Sequence, residues 1–310
     1  MLLALLCAST TLWAQQDRAA ISHNSESITI APILYGIEKG FYRSEGIQLD
    51  FRFLRTDLAA AAISSSQELD YMISTGTAFR AAVRGLPLKI VAYGFTQPLF
   101  YLMTQPTIQS VKDLRGKKIA VSSPQDSGGL AAKAALRAGG LDPERDVVYI
   151  AIGAASVRMA ALETGSVEAA IMPVPWNSRM KRKGFKELLF AGGYLVQPLS
   201  GIVTSAAKLE KNSDQVRRML RAYLLSLRRL RQEKSEAAEF IGRRFSLDRD
   251  TSEEVYKVVL DTMSADGTMP AAILETYFEQ VKKEPGAKKS IALADIVDYQ
   301  LLREAAASLK

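Results

Sequence analysis

At 310 residues, 48% hydrophobic and 24% charged, the chain is long enough for a full core and for two lobes with a cleft between them. Its composition, with 20 Gly and 11 Pro and no low-complexity tract, excludes disordered, fibrous and polytopic membrane proteins. The net charge of +7 concentrates in residues 201–245, where 11 Lys/Arg face 5 Asp/Glu, but Val216, Leu220, Tyr223, Leu224, Leu227 and Leu230 recur there at helical spacing. The arginines therefore read as a solvated helix face, and without interleaved base-stacking aromatics they do not point to nucleic acid.

In chain order, "MLLALLCASTTLWAQQDRAA" resembles the apolar core and cleavage zone of a secretory signal, residues 1–14, with the cut after Ala14 and without the usual positive n-region. A buried N-terminal helix is the alternative. Cys7 fits a lipid anchor poorly, because Leu5 and Leu6 precede it where lipidation sites carry small residues. It is the only cysteine, so removal of the signal leaves neither a disulfide nor a reactive thiol.

Strands and helices then alternate. "SITIAPIL" reads as a strand, "YGIEKGFYRSEG" as a helix, "IQLDFRFL" as a strand, "DLAAAAISSSQE" as a helix, "LDYMIST" as a strand, "TAFRAAVRG" as a helix and "LKIVAYG" as a strand. After "FYLMTQ" a second block follows. It comprises helix "SVKDLRG", strand "KKIAVSS", a helix opening at Ser127, strand "DVVYIA", helix "SVRMAALETG", strand "VEAAIMP" and helix "WNSRMKRKG". Beyond "GIVTS" the pattern is wholly helical. This alternation predicts α/β architecture with helices on both faces of each sheet. The weak echo between "AAAAISSSQELDYMIST" and "VRMAALETGSVEAAIMP" predicts two similar lobes.

The single histidine, His23, lies in a polar stretch, so a histidine triad or multi-histidine metal site has no material, and no cysteine cluster replaces it. "SSPQDSGGLAAK" lacks phosphate-loop spacing, and no dinucleotide fingerprint follows the first strand, so no cofactor is expected. A carboxylate-based enzyme stays open. What stands out is the chemistry of the strand ends: Pro32 and Tyr35; Thr75, Gly76 and Thr77; Ser122, Ser123, Ser127, Gly128 and Gly129; Pro173, Pro175 and Trp176. Glycines and short hydroxyls at strand-to-helix turns leave backbone N–H groups accessible at the positive end of a helix, suited to an anionic or polar head group. Helix capping explains the same residues without a ligand.

"APILYGIEKGFYRSEGIQLDF", "GLPLKIVAYG", "SVKDLRGKKIAVSS", "AGGLDPERDVVYI" and "AALETGSVEAAIMPVP", in this order, resemble the alkanesulfonate/nitrate/taurine- and thiamine-precursor-binding group of periplasmic solute-binding proteins, receptors of ABC importers. The resemblance covers about residues 28–245. It implies the type II periplasmic-binding-protein fold: lobe one from 28–100 plus 201–310, lobe two from 105–196, crossings at 101–104 and 197–200, and a helical C-terminal tail. It further implies an exported, monomeric, non-enzymatic protein that binds a small polar or anionic molecule and delivers it to a membrane permease. The implied contacts are Pro32, Tyr35, Thr75, Gly76, Thr77, Ser123, Ser127, Gly128, Gly129, Pro175 and Trp176. The run Arg179, Lys181, Arg182 and Lys183 reads either as a solvated face or as a permease contact. The alternatives are a ligand-sensing domain and an enzyme resembling a thiamine-pyrimidine synthase, the latter lacking its reactive histidine and cysteines here.

Overall fold

A computed structural model describes residues 17–65, 68–195 and 197–309. Residues 1–14, expected to be a signal sequence, and Cys7 among them, lie outside the described residues, as do Ser66 and Gln67 of the "SSSQE" stretch.

The first strand is not "SITIAPIL" but the stretch before it, β1 (Asp17–His23). Ala19, Ala20 and Ile21 are all buried, as befits a central strand covered on both faces, where apolar residues run continuously rather than alternate. The expected strand is instead a 3-10 turn, Ile28–Ile30, leading into α1 (Ala31–Glu38). Pro32 stands in its first turn, where a fixed φ and a missing N–H suit a helix start. Then follow α2 (Phe41–Ser44), β2 (Ile47–Phe53), α3 (Thr56–Ser65), β3 (Tyr71–Met72), α4 (Thr75–Val83) and β4 (Leu88–Phe95).

The second block contains β5 (Phe100–Thr104), β6 (Lys118–Val121), α5 (Ser127–Ala138), β7 (Val148–Ala151), α6 (Ala155–Glu163), β8 (Ala169–Pro173), α7 (Trp176–Arg182) and a strand the sequence reading passed over, β9 (Lys186–Phe190). "SVKDLRG" makes only a 3-10 turn, Val111–Leu114. The chain returns through β10 (Ser200–Ser205) and ends in α8 (Ala206–Lys211), α9 (Ser213–Gln232), α10 (Lys234–Phe245), α11 (Arg249–Thr262), α12 (Ala271–Val281) and α13 (Gln300–Ala307).

The strands form two five-stranded sheets of matching order, β2-β1-β3-β10-β4 and β7-β6-β8-β5-β9. In each, one strand runs antiparallel to both neighbours: β10 between β3 and β4, and β5 between β8 and β9. These are the strands laid down where the chain enters each sheet from the other. Residues 101–104, expected as a crossing, therefore belong to β5, and the outward crossing is 96–99. The return runs over 195–199, and the first lobe begins at Asp17 rather than at residue 28.

Each sheet is packed on both faces. One core of the first lobe joins α1 and α9–α11 to its sheet, through Val216, Met219, Leu220, Tyr223, Leu227 and Leu230 of α9. The other packs α3, α4 and α12. In the second lobe, α5 covers one face, and α6 and α7 the other. The arginine face of α9 is laced to its own lobe: Arg218 donates to Asp17, to Asp214 (2.8 Å) and to the Glu45 carbonyl (2.8 Å), and Arg229 pairs with Glu233 at 2.8 Å.

Three residues of the basic run at the end of α7 make contacts within the chain. Arg179 stacks on Trp176, 4.5 Å from the ring centre, and donates to the Phe245 carbonyl. Arg182 reaches Asp248 at 3.0 Å and Thr251, and Lys183 pairs with Glu163 at 2.5 Å. The first two bind the second lobe to the α10–α11 corner of the first.

Helix α5 sits directly on the turn before it. A Cβ at Gly129 would lie 2.2 Å from the Ser123 carbonyl oxygen and 2.7 Å from backbone atoms of Pro124. Since backbone cannot swing aside as a side chain can, Gly129→Ala is expected to destabilise the protein by about 1–3 kcal/mol, measured by urea unfolding.

Candidate functional site

The C-terminal ends of the parallel strands of both sheets open onto one cleft. Doubly wound sheets put ligands at such ends, beyond the carboxyl edge of the strands. From the first lobe come His23, Asn24 and Ser25 after β1, then Ser27, Ile28 and Thr29, then Thr56 at the start of α3, and Ser74 and Thr77 at the start of α4. The second lobe supplies Ser122, Asp126, Ser127 and Gly128 between β6 and α5, Arg158 from α6, and Pro173 and Val174 after β8. Leu99, Phe100 and Leu199, at the crossings, complete the lining.

Of the eleven contacts the resemblance implies, Thr77, Ser127 and Gly128 line this cleft, together with Ser122 and Pro173 from the same strand ends. The other eight implied contacts do not. Pro32 and Tyr35 lie in the helical core, where the Tyr35 hydroxyl donates to Glu233 at 2.6 Å. Thr75 is wholly buried at the first turn of α4. Gly76 lies at the junction of the lobes: a Cβ there would come 2.2 Å from Gln197 Nε2 and 3.1 Å from Ser127 Oγ. Ser123 turns to Gln125, at 3.1 Å, and Gly129 is buried behind it. Pro175 caps α7, and Trp176 is 7% exposed, with its indole N–H donating to the Glu26 carbonyl at 3.1 Å. Pro32, Tyr35, Thr75 and Trp176 stand inside helices already begun, whose turn carries their side chains away from the cleft.

His23, read from sequence as part of a polar linker, ends β1 and is 8% exposed. Its Nδ1 lies 3.0 Å and 3.2 Å from the carbonyl oxygen and the N–H of Ser25, and its Nε2 lies 3.3 Å from Thr29 Oγ1. Burial lowers its pKa to about 4, against the opposing hydrogen bond to Ser25, so the ring is neutral at pH 7.

Asp126 is the N-cap of α5. One carboxylate oxygen accepts the Gly129 N–H at 2.9 Å, and the other accepts from Ser122 Oγ. Desolvation raises its pKa, while the Ser122 and Gly129 hydrogen bonds and the charge of Arg158 act the other way. Arg158 is 2% exposed and donates to the carbonyls of Ile171 (2.9 Å), Ile152 (2.8 Å) and Gly153 (2.7 Å). Its burial lowers its pKa to about 10, and Asp126 opposes that shift.

Asp126 carried a legible signal, an Asp three residues before the Gly129 N–H it caps. Arg158 carried none, because its partners are carbonyls brought to it by β8 and the end of β7. A second contact joins the lobes beside the cleft: Gln197 Nε2 donates to Ser127 Oγ, and Arg80 holds Gln197 Oε1 at 3.1 Å while pairing with Glu284 at 3.0 Å. Among the described residues, no group of three or more His, Cys, Asp or Glu is placed to hold a metal ion.

Two lobes, each a sheet sandwiched between helices, with hydroxyl-rich strand ends meeting across a cleft, define a two-lobed binding-protein fold. The chain belongs to the NMT1/THI5-like family, whose model matches residues 27–237. It is 31% identical over 221 residues to the riboflavin-binding protein RibY of Chloroflexus aurantiacus, a match covering 69% of this chain and 62% of that relative, less than two thirds of its length. The alkanesulfonate-binding protein SsuA from Xanthomonas axonopodis pv. citri, solved with MOPS bound, superposes with a TM-score of 0.73 at 15% identity over 92% of this chain and 99% of its own. The desulfurization enzyme DszB shares the fold too, with a TM-score of 0.67 at 15% identity over 95% of this chain and all of its own.

Two outcomes follow from the buried groups. His23 has a folded pKa of about 4 against 6.5 in the unfolded chain, so the unfolded state binds more protons between these values. Its contribution is complete above about pH 6.5 and is lost as pH falls towards 4, by an amount on the order of 3 kcal/mol. His23→Gln is expected to flatten the pH dependence of urea-unfolding stability in that window. Tyr35→Phe is expected to cost about 1 kcal/mol, the lost hydrogen bond to Glu233, with ligand affinity unchanged in calorimetry.

Proposed function

We propose that this protein is the substrate-binding component of an ABC importer: exported, acting as a monomer, it captures a small polar organic molecule between its lobes and presents the closed form to a membrane permease. The observation that supports this most is the sharing of the cleft by short polar side chains from both lobes, Thr56, Ser74 and Thr77 from the first and Ser122 and Ser127 from the second. A ligand that touches both lobes binds the closed arrangement more tightly than the open one, and that difference drives closure. RibY, named for riboflavin binding, and SsuA, named for alkanesulfonate binding, favour a small organic solute. Among the described residues no helix is long and apolar enough to cross a membrane. Against the enzyme alternative that DszB illustrates, the cleft lining holds no thiol, and its one histidine is engaged by Ser25 and Thr29.

The protein without residues 1–14, screened by thermal unfolding against riboflavin, pyrimidines, alkanesulfonates, taurine and nitrate, is expected to gain roughly 2.7 kcal/mol with its solute at about a hundred times the dissociation constant. Small-angle scattering is expected to show compaction at saturation; its absence counts against lobe closure. Replacing Thr77 by Val together with Ser127 by Ala is expected to remove roughly 1–3 kcal/mol of binding, about 5- to 150-fold in Kd by calorimetry.

A further inference from the structure

The Ser127–Gly129 turn has the backbone donors of an anion site, but an aspartate of this chain already occupies that place. Asp126 accepts the Gly129 N–H at 2.9 Å, so the positive end of α5 faces a carboxylate before any ligand arrives. Among the described residues the only cation of the lining, Arg158, commits Nε and Nη1 to three backbone carbonyls at 2.7–2.9 Å and lies close enough to Asp126 for each charge to shift the other. With Asp126 ionised the two charges offset, and His23 is neutral, leaving no unmatched cation among the described residues of the cleft wall. Asp126 is nevertheless only partly buried and lines the cleft. Two ionised carboxylate oxygens together offer about four acceptor positions, and hydrogen bonds from Ser122 and Gly129 fill two of them.

We propose that Asp126 is the specificity-determining residue of the cleft and selects a ligand carrying an N–H donor, an imide, amide or amine, while disfavouring anions that have none. The inference rests on the solute-binding reading above and narrows its ligand class. The donor faces Asp126 in the second lobe, and the ligand's acceptor atoms face Ser74 and Thr77 in the first. A nitrate or simple sulfonate set against Asp126 loses its hydration beside a like charge; a donor makes a charge-assisted hydrogen bond there.

The test uses matched pairs differing in the donor: riboflavin against its N3-methyl derivative, and taurine against propanesulfonate, measured by calorimetry on the protein without residues 1–14. The donor-bearing member of at least one pair is expected to bind about tenfold or more tightly. Asp126→Asn, which keeps a side chain able to cap α5, is expected to lose that preference while its melting temperature stays near wild type. If Asp126→Asn unfolds, Asp126→Ser, also a good cap, carries the same comparison. Equal or tighter binding of the donor-free members, or a preference unchanged in both variants, overturns the assignment of Asp126 and leaves the receptor reading standing. No binding by either pair, with no small molecule released from the purified protein in denaturing mass spectrometry, overturns both.

Discussion

The chain passes between its sheets twice, and each passage ends in a strand that the receiving sheet needs. Strand β5 lies between β8 and β9, and β10 between β3 and β4, so removing either would detach an edge strand from its sheet. The crossing segments are thereby anchored by ladder hydrogen bonds on both sides. The same arrangement turns the carboxyl ends of the parallel strands towards each other and places Leu99, Phe100 and Leu199 in the lining between them. The cleft is thus a consequence of strand order, and its chemistry is whatever the strand-to-helix turns carry.

Among the described residues those turns carry hydroxyls, one neutral imidazole, the Asp126 carboxylate and, from α6, the Arg158 guanidinium. Under the proposed function a cavity lined this way selects by hydrogen-bond direction more than by net charge, since the charges of Asp126 and Arg158 act on one another and Arg158 is turned towards backbone. Its edges are tied by contacts of another kind. The Ile28 N–H donates to the Val174 carbonyl at 2.9 Å, Trp176 reaches Glu26, and Arg179 and Arg182 reach the α10–α11 corner. On the other flank Gln197 joins Ser127 to Arg80. Two residues that line the cleft, Ile28 and Ser127, also join the lobes, so under the proposed function binding and closure draw on the same residues.

Much of the fold was legible before any coordinates. The βα alternation, the long amphipathic α9 with its arginines outside and the turn into α5 all follow from local periodicity and capping. The failures are equally local in origin. "SITIAPIL" alternates over a few residues, yet Ile28, Ala31 and Tyr35 also share one helical face, and Pro32 favours the helix start. β1 was missed because a central strand hides its period, and β9 because "KELLF" follows a turn with no strong strand signal. The crossing was placed at 101–104 because nothing in "FYLMT" says which sheet it joins.

The sequence by itself determined the element types, the two-block organisation and the polar chemistry of the strand-to-helix turns, because each depends on residues within a few positions of one another. Only the tertiary structure decided that Thr77, Ser127 and Gly128 face the cleft while Tyr35 and Trp176 pack elsewhere, that the lone histidine is buried at its wall, and that Asp126 and Arg158 share one site. Helical rotation sets where each side chain points, and strand order sets what stands opposite. The second is a non-local property: β1 meets β3 across an intervening strand and three intervening α-helices, and Arg158 reaches the Ile171 carbonyl on β8.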